Sequence, residues 1–159
     1  MLLTAGRRVT AIGVSDWHRG DAPIGSASVR VWANDLSTRA ILDSIRACRV
    51  IVMADAATAP PDIRVISSTK EARVGDTLVL ARGDAYALEV AVADAPLYQG
   101  AKAEVFWNGE RVAAGALESG RFRLERFAST NGYLRVHLLS PGGAPLAVTN
   151  PVWIRTSAR

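Results

Sequence analysis

Hydrophobic positions follow two rhythms along the chain. In the first third, short apolar runs flank one helical stripe. Val9 to Val14 is short and β-branched, Ser28 to Ala33 alternates around Val29 and Val31, and Val50 to Ala54 is a continuous apolar run suited to a strand covered on both faces. Between the last two, Ser37 or Thr38 can cap a helix running to about Ala47, whose Ile41, Ile45 and Cys48 fall on one stripe with Leu42 beside it. The pattern predicts strand, loop, strand, helix, strand, with the helix packed on a sheet.

From Ala54 onward the rhythm changes. Pro60 and Pro61 remove two backbone donors and favour an extended linker. Beyond them come short strands punctuated by Val74-Gly75-Asp76, Asn108-Gly109, Ser119-Gly120, Asn131-Gly132 and Pro141-Gly142-Gly143. The last four recur about every 10 to 12 residues, the spacing of an antiparallel sandwich, and Asn-Gly supplies the two positive φ values of a type I′ hairpin. Tyr133 to Leu139 alternates Leu134, Val136 and Leu138 with Arg135 and His137. The expected organisation is therefore an α/β segment over residues 1–58 and an immunoglobulin-like β-sandwich over 59–159. No internal repeat or low-complexity segment interrupts it.

Composition narrows the functional classes. At 159 residues and 49% hydrophobic, the chain is too apolar for disorder. Its net charge is +4, yet Lys70 and Lys102 are the only lysines among 19 basic residues, and the 17 arginines are scattered. That is no nucleic-acid arm. The densest stretch, Arg121-Phe122-Arg123-Leu124-Glu125-Arg126, alternates as the solvated face of a half-buried strand does. Met1 to Ala5 is far shorter than the apolar core of a signal peptide, and no apolar run approaches the roughly 20 residues of a membrane span. A soluble, cytoplasmic chain without membrane or nucleic-acid partners is expected. The single cysteine, Cys48, can form no intramolecular disulfide and reads as a small buried hydrophobe.

The sharpest local feature is Val9-Thr10-Ala11-Ile12-Gly13-Val14-Ser15-Asp16-Trp17-His18. Side chains at i and i+2 of an extended segment point the same way, so Asp16 and His18 can address one cavity at its end. Trp17 then faces away and packs. An Asp-x-His pair alone is a weak motif. Its surroundings add weight: Gly6 to His18, Ile24-Gly25, and Ala40 to Val52 together resemble the final strand, metal motif and helix of the polymerase-and-histidinol-phosphatase (PHP) family. The closing Val148-Thr149-Asn150-Pro151-Val152-Trp153-Ile154 is similar to the Thr-Asn-Pro-apolar ending of that family's larger members, which append a β-sandwich and include hydrolases of phosphate and carbamate esters.

The resemblance implies an α+β chain: the last strands and helix of a PHP-type (β/α) barrel, followed by the sandwich. It implies that Asp16 and His18 are metal ligands for zinc, manganese or iron. In the complete enzyme a metal-bound hydroxide would attack a small phosphate or other ester. Two donors do not complete such a site, because a catalytic zinc takes three protein ligands plus water. The family's preceding His-x-His pair is missing from a chain whose only histidines are His18 and His137. That pair is expected in an upstream reading frame or a neighbouring gene, and metal binding by the isolated chain is expected to be weak or absent. His137 falls in the sandwich and reads as an exposed strand residue outside the site. Cys48 stands where the family usually has glycine, and a non-glycine residue in a left-handed helix cap costs about 1 kcal/mol, so a different helix end is expected.

No nucleophilic triad or phosphate-cradling glycine loop is present, and Asp84, Glu89 and Glu104 read as solvated faces. Two functions remain: the C-terminal fragment of a metal-dependent phosphoesterase-like hydrolase, or a non-catalytic sandwich that binds a partner or polysaccharide. Exposure of Trp32, Phe106, Trp107, Tyr98 or Trp153 would favour the second. Unpaired strand edges would invite a second copy or a partner barrel segment.

Overall fold

The helix forms where its cap requires. In a computed structural model describing residues 3, 5, 7–16, 18, 24–94 and 96–157, α1 spans Thr38–Arg46, and the Ser37 hydroxyl accepts from the Ala40 amide at 3.2 Å. Its other end is a Schellman motif. The Arg49 amide donates to Ser44 and the Cys48 amide to Ile45, both at 3.0 Å, while Cys48 takes a left-handed φ of 61°. The helix thus ends in the glycine manner with a cysteine in the glycine position, which corrects the expectation of a different ending.

Besides α1, the described residues form twelve strands: β1 (Ser28–Val31), β2 (Val50–Met53), β3 (Asp62–Ser67), β4 (Glu71–Arg73), β5 (Thr77–Ala81), β6 (Ala85–Ala91), β7 (Lys102–Trp107), β8 (Glu110–Ala116), β9 (Arg121–Phe127), β10 (Gly132–Leu139), β11 (Pro145–Thr149) and β12 (Val152–Ser157). They make two sheets. One holds eight strands, in the order β1-β2-β11-β10-β12-β5, with β7 on the other edge of β10 and β8 beyond it. The other runs β4-β3-β6-β9. Pairing is antiparallel except between β5 and β12. A single apolar core joins the sheets, with Val65, Leu88 and Val90 from the smaller meeting Ile51, Met53, Val105, Leu138 and Ile154 from the larger.

This architecture overturns the expected barrel remnant. A (β/α) barrel needs parallel neighbours, but β1 and β2, although joined through a helix, pair antiparallel, and so do β2 and β11. The chain is a β-sandwich of two sheets with one short α-helix among the described residues. The run Val50–Met53 is covered on both faces, as its composition indicates; composition carries no strand direction. Ala147 pairs with Met53 and Thr149 with Ile51, so the larger sheet continues from the first third of the chain into the last.

One irregularity positions the N-terminal segment. β11 and β12 follow the same edge of β10 and are separated by Asn150-Pro151, where the outer neighbour switches from β2 to β5. The Val136 amide, which would otherwise lose its ladder acceptor at this break, donates to the Thr149 hydroxyl at 2.9 Å. Asn150 is 1% exposed. Its amide nitrogen donates to the carbonyls of Ala11 and Val50, both at 2.9 Å, and its oxygen accepts from the Ala11 amide at 2.7 Å. The Thr-Asn-Pro ending is thus a joint of the fold.

Candidate functional site

The segment before Asp16 is strapped to the sandwich by side chains. It is not a strand of either sheet, contrary to the expectation for Val9 to Val14. Asn150 holds Ala11 at both backbone groups, and the Thr10 hydroxyl donates to the Ile45 carbonyl at the helix end. Arg8 reaches Thr77 and lies 5.1 Å from the Trp153 ring centroid. Gly13 rests so close on Val52 that a β-carbon there would collide with its side chain.

Past that contact the segment turns its apolar groups outward. Ile12 is 63% exposed and Val14 70%, alternating with the more buried Gly13 and Ser15. Asp16 continues the outward series but leaves the extended conformation at a φ of 45°. The expected geometry, two parallel side chains on one extended strand, is therefore not what brings Asp16 and His18 together. Instead the His18 ring folds back, with Nδ1 2.8 Å from the Asp16 carbonyl and 3.6 Å from its carboxylate. Trp17, expected to pack, lies outside the described residues.

This hydrogen bond fixes the chemistry of the imidazole. A carbonyl oxygen can only accept, so Nδ1 carries the proton and neutral His18 presents its lone pair at Nε2. Metal-ligating histidines are set in the same way, by a backbone carbonyl on the other ring nitrogen. The His18 and Asp16 side chains are 77% and 87% exposed, so Nε2 and the carboxylate are both accessible. By type they are one nitrogen and one oxygen donor, and the carboxylate lies on the Nδ1 side of the ring, 3.6 Å from that nitrogen. Among the described residues, no group of three or more His, Cys, Asp or Glu side chains is placed to hold a metal ion.

Compared with protein-family models and with curated proteins, the sequence finds no match. The resemblance thus rests on the residues that carry it. Among the described residues no helix is long and apolar enough to cross a membrane.

His137 lies outside this pair, as expected, but is half-buried rather than exposed. Its ring centroid is 4.5 Å from that of Phe106, and its Nε2 is buried with no hydrogen-bond partner among the described residues. Burial, with Arg135 adding to it, pushes its pKa below the ordinary 6.5 against the opposing pull of Glu104. Of the five aromatic candidates, Tyr98 and Trp153 are buried and Phe106 and Trp107 partly so, whereas Trp32 is 38% exposed. The Tyr98 hydroxyl donates to the Ala59 carbonyl at 2.7 Å, and burial pushes its pKa up to about 12. The sequence reading missed the setting of Trp32, a cleft where the loop after β1 meets β3 and the β4–β5 turn. Val74-Gly75-Asp76 marks that turn in the sequence, but nothing local says what faces it.

Proposed function

We propose that this chain contributes Asp16 and His18 to the metal site of a phosphoesterase-like hydrolase whose remaining donors stand on another polypeptide segment. The observation that carries the reading is the His18 Nδ1 bond to the Asp16 carbonyl, which leaves Nε2 and the Asp16 carboxylate both open to solvent. The resemblance to the PHP family supports it, and so do the exposed Ile12 and Val14 just before the pair, an apolar surface on which a partner segment could rest. A bound divalent ion would supply a Lewis acid and an activated water. This chain's part is to present one oxygen and one nitrogen donor, with the imidazole held in the metal-binding tautomer.

Two donors give weak binding, so calorimetric titration of zinc or manganese into the isolated chain should show no tight stoichiometric site and no phosphoester hydrolysis above background. Adding a partner segment that bears a His-x-His pair, in trans or by fusion, should confer both. Asp16→Ala or His18→Ala should then abolish both while leaving the sandwich folded. Tight metal and turnover in the isolated chain, or full activity in a fusion lacking Asp16 and His18, would overturn the reading. The alternative, a sandwich that binds a partner or saccharide, is favoured by one observation, the exposure of Trp32 beside a cleft.

A further inference from the structure

A cleft of about 190 Å³ opens beside the exposed Trp32, lined by Asn34, Arg49, Asp62, Arg73 and Asp76 together with the apolar side chains of Ile63 and Val74. It forms where the loop after β1 and the end of α1 lean on β3 and the β4–β5 turn, a meeting of elements of the kind that houses small-molecule sites. The polar groups are held in place. Arg73 donates to Asp62 at 2.8 Å and lies 3.2 Å from Glu71; Arg49 lies 3.3 Å from Asp76; Asp76 also accepts from the Arg73 amide at 3.1 Å.

These pairings select the ligand. Each arginine in the cleft already faces a carboxylate, so two positive charges are balanced by two negative ones, and neither an anion nor a cation finds an uncompensated partner. Ion pairing nevertheless leaves N–H groups and lone pairs unused, since a guanidinium has five donors and a carboxylate about four acceptor sites. Asn34 adds an amide that both donates and accepts. A ligand that matches is neutral, bears several hydroxyl groups that donate and accept in turn, and offers an apolar C–H face to the indole. The volume lies below the roughly 300–1,000 Å³ of pockets for drug-sized molecules, which limits the occupant to a single ring. From this arrangement we infer that the cleft binds one sugar ring of a neutral saccharide, with Trp32 beneath its C–H face and Asn34, Arg49, Arg73, Asp62 and Asp76 around its hydroxyls.

The inference does not depend on the metal proposal, because saccharide and metal titrations read different residues. The test is saturation-transfer NMR of the full chain with glucose, galactose, mannose, xylose, N-acetylglucosamine and their disaccharides, with sugar phosphates and nucleosides as comparison arms. At least one neutral saccharide should bind saturably and keep its affinity in high salt. Trp32→Ala should weaken it about tenfold, the loss expected when an aromatic wall is removed. Asn34→Ala, an exposed substitution that leaves the core untouched, should weaken it as well. Absence of binding by every neutral saccharide would overturn the inference. So would binding confined to sugar phosphates or nucleosides, or saccharide binding unchanged in Asn34→Ala and in a folded Trp32→Ala.

Discussion

Cys48 combines two properties that usually exclude each other, a left-handed φ of 61° and burial to 1% exposure. Its backbone asks for glycine, while its side chain fills space, with Sγ 3.3 Å from the Thr10 hydroxyl oxygen. A left-handed conformation costs a residue with a β-carbon about 1–2 kcal/mol, similar to what a small buried side chain contributes. Cys48→Gly exchanges one term for the other and should change stability by less than about 1 kcal/mol. Cys48→Ala loses packing and keeps the strain, so it should be the more destabilised of the two, by about 1 kcal/mol relative to glycine. Denaturant midpoints of both variants decide the order; alanine at or above glycine would mean that the strain is negligible. His137 offers a second test, in pH. Its pKa lies below 6.5 in the fold, because burial and Arg135 disfavour the charged ring, with Glu104 in opposition. The unfolded chain then binds the proton more tightly, so the stability is fully present above pH 6.5 and is lost as pH falls from 6.5 through the lowered folded value. The wild-type midpoint should fall more between pH 7.5 and 5.5 than that of His137→Gln. Equal losses would assign the acid sensitivity to other groups.

At the scale of elements, what could be read in the sequence depended on whether the signal was local. The helix was legible from Ser37 and the stripe of Ile41, Ile45 and Cys48. Asn108-Gly109 was legible too: φ values of 50° and 94° make it the expected turn between β7 and β8. Asn131-Gly132 carries the same letters and does another job. Gly132 is already in β10, where a β-carbon would strike the Trp107 ring, and the Asn131 side chain accepts from the Thr156 amide at 2.8 Å. The sequence shows that glycine is needed there but not whether turn or close packing needs it. Strand direction was equally hidden, since β1 and β2 would have the same composition in a parallel sheet. The candidate site was half legible. Asp16 and His18 stand out as residue types, but the turn at Asp16 that brings Nδ1 to its carbonyl depends on backbone geometry that Asp-x-His does not specify.

Across the whole molecule, charge and apolar surface tell different stories. The many arginines leave no uniformly basic face on the smaller sheet, because Arg64 lies within 4 Å of Asp62, Glu71 and Glu89, and Arg123 pairs with Glu89 and Glu125. Such half-exposed pairs contribute little each to stability. The apolar core, by contrast, joins the first third of the chain to the rest. Ile51 and Met53 are fully buried in the same cluster as Val65, Leu88 and Ile154, and β2 occupies the edge of β11. Burying each of those two side chains contributes about 1.5–3 kcal/mol, so removing both forfeits about 3–6 kcal/mol of a total that is commonly 5–15 kcal/mol. Truncation to residues 59–159 would also bare the edge of β11, an invitation to pair with another chain. The full chain should therefore unfold in one transition, with tryptophan fluorescence and far-ultraviolet circular dichroism tracing the same denaturant curve. The 59–159 fragment should show a markedly lower midpoint or self-associate on gel filtration. Two separated transitions in the full chain, or a soluble monomeric fragment with the full chain's midpoint, would show that the sandwich stands without β1, α1 and β2 and that the joint at Asn150 carries little of the stability.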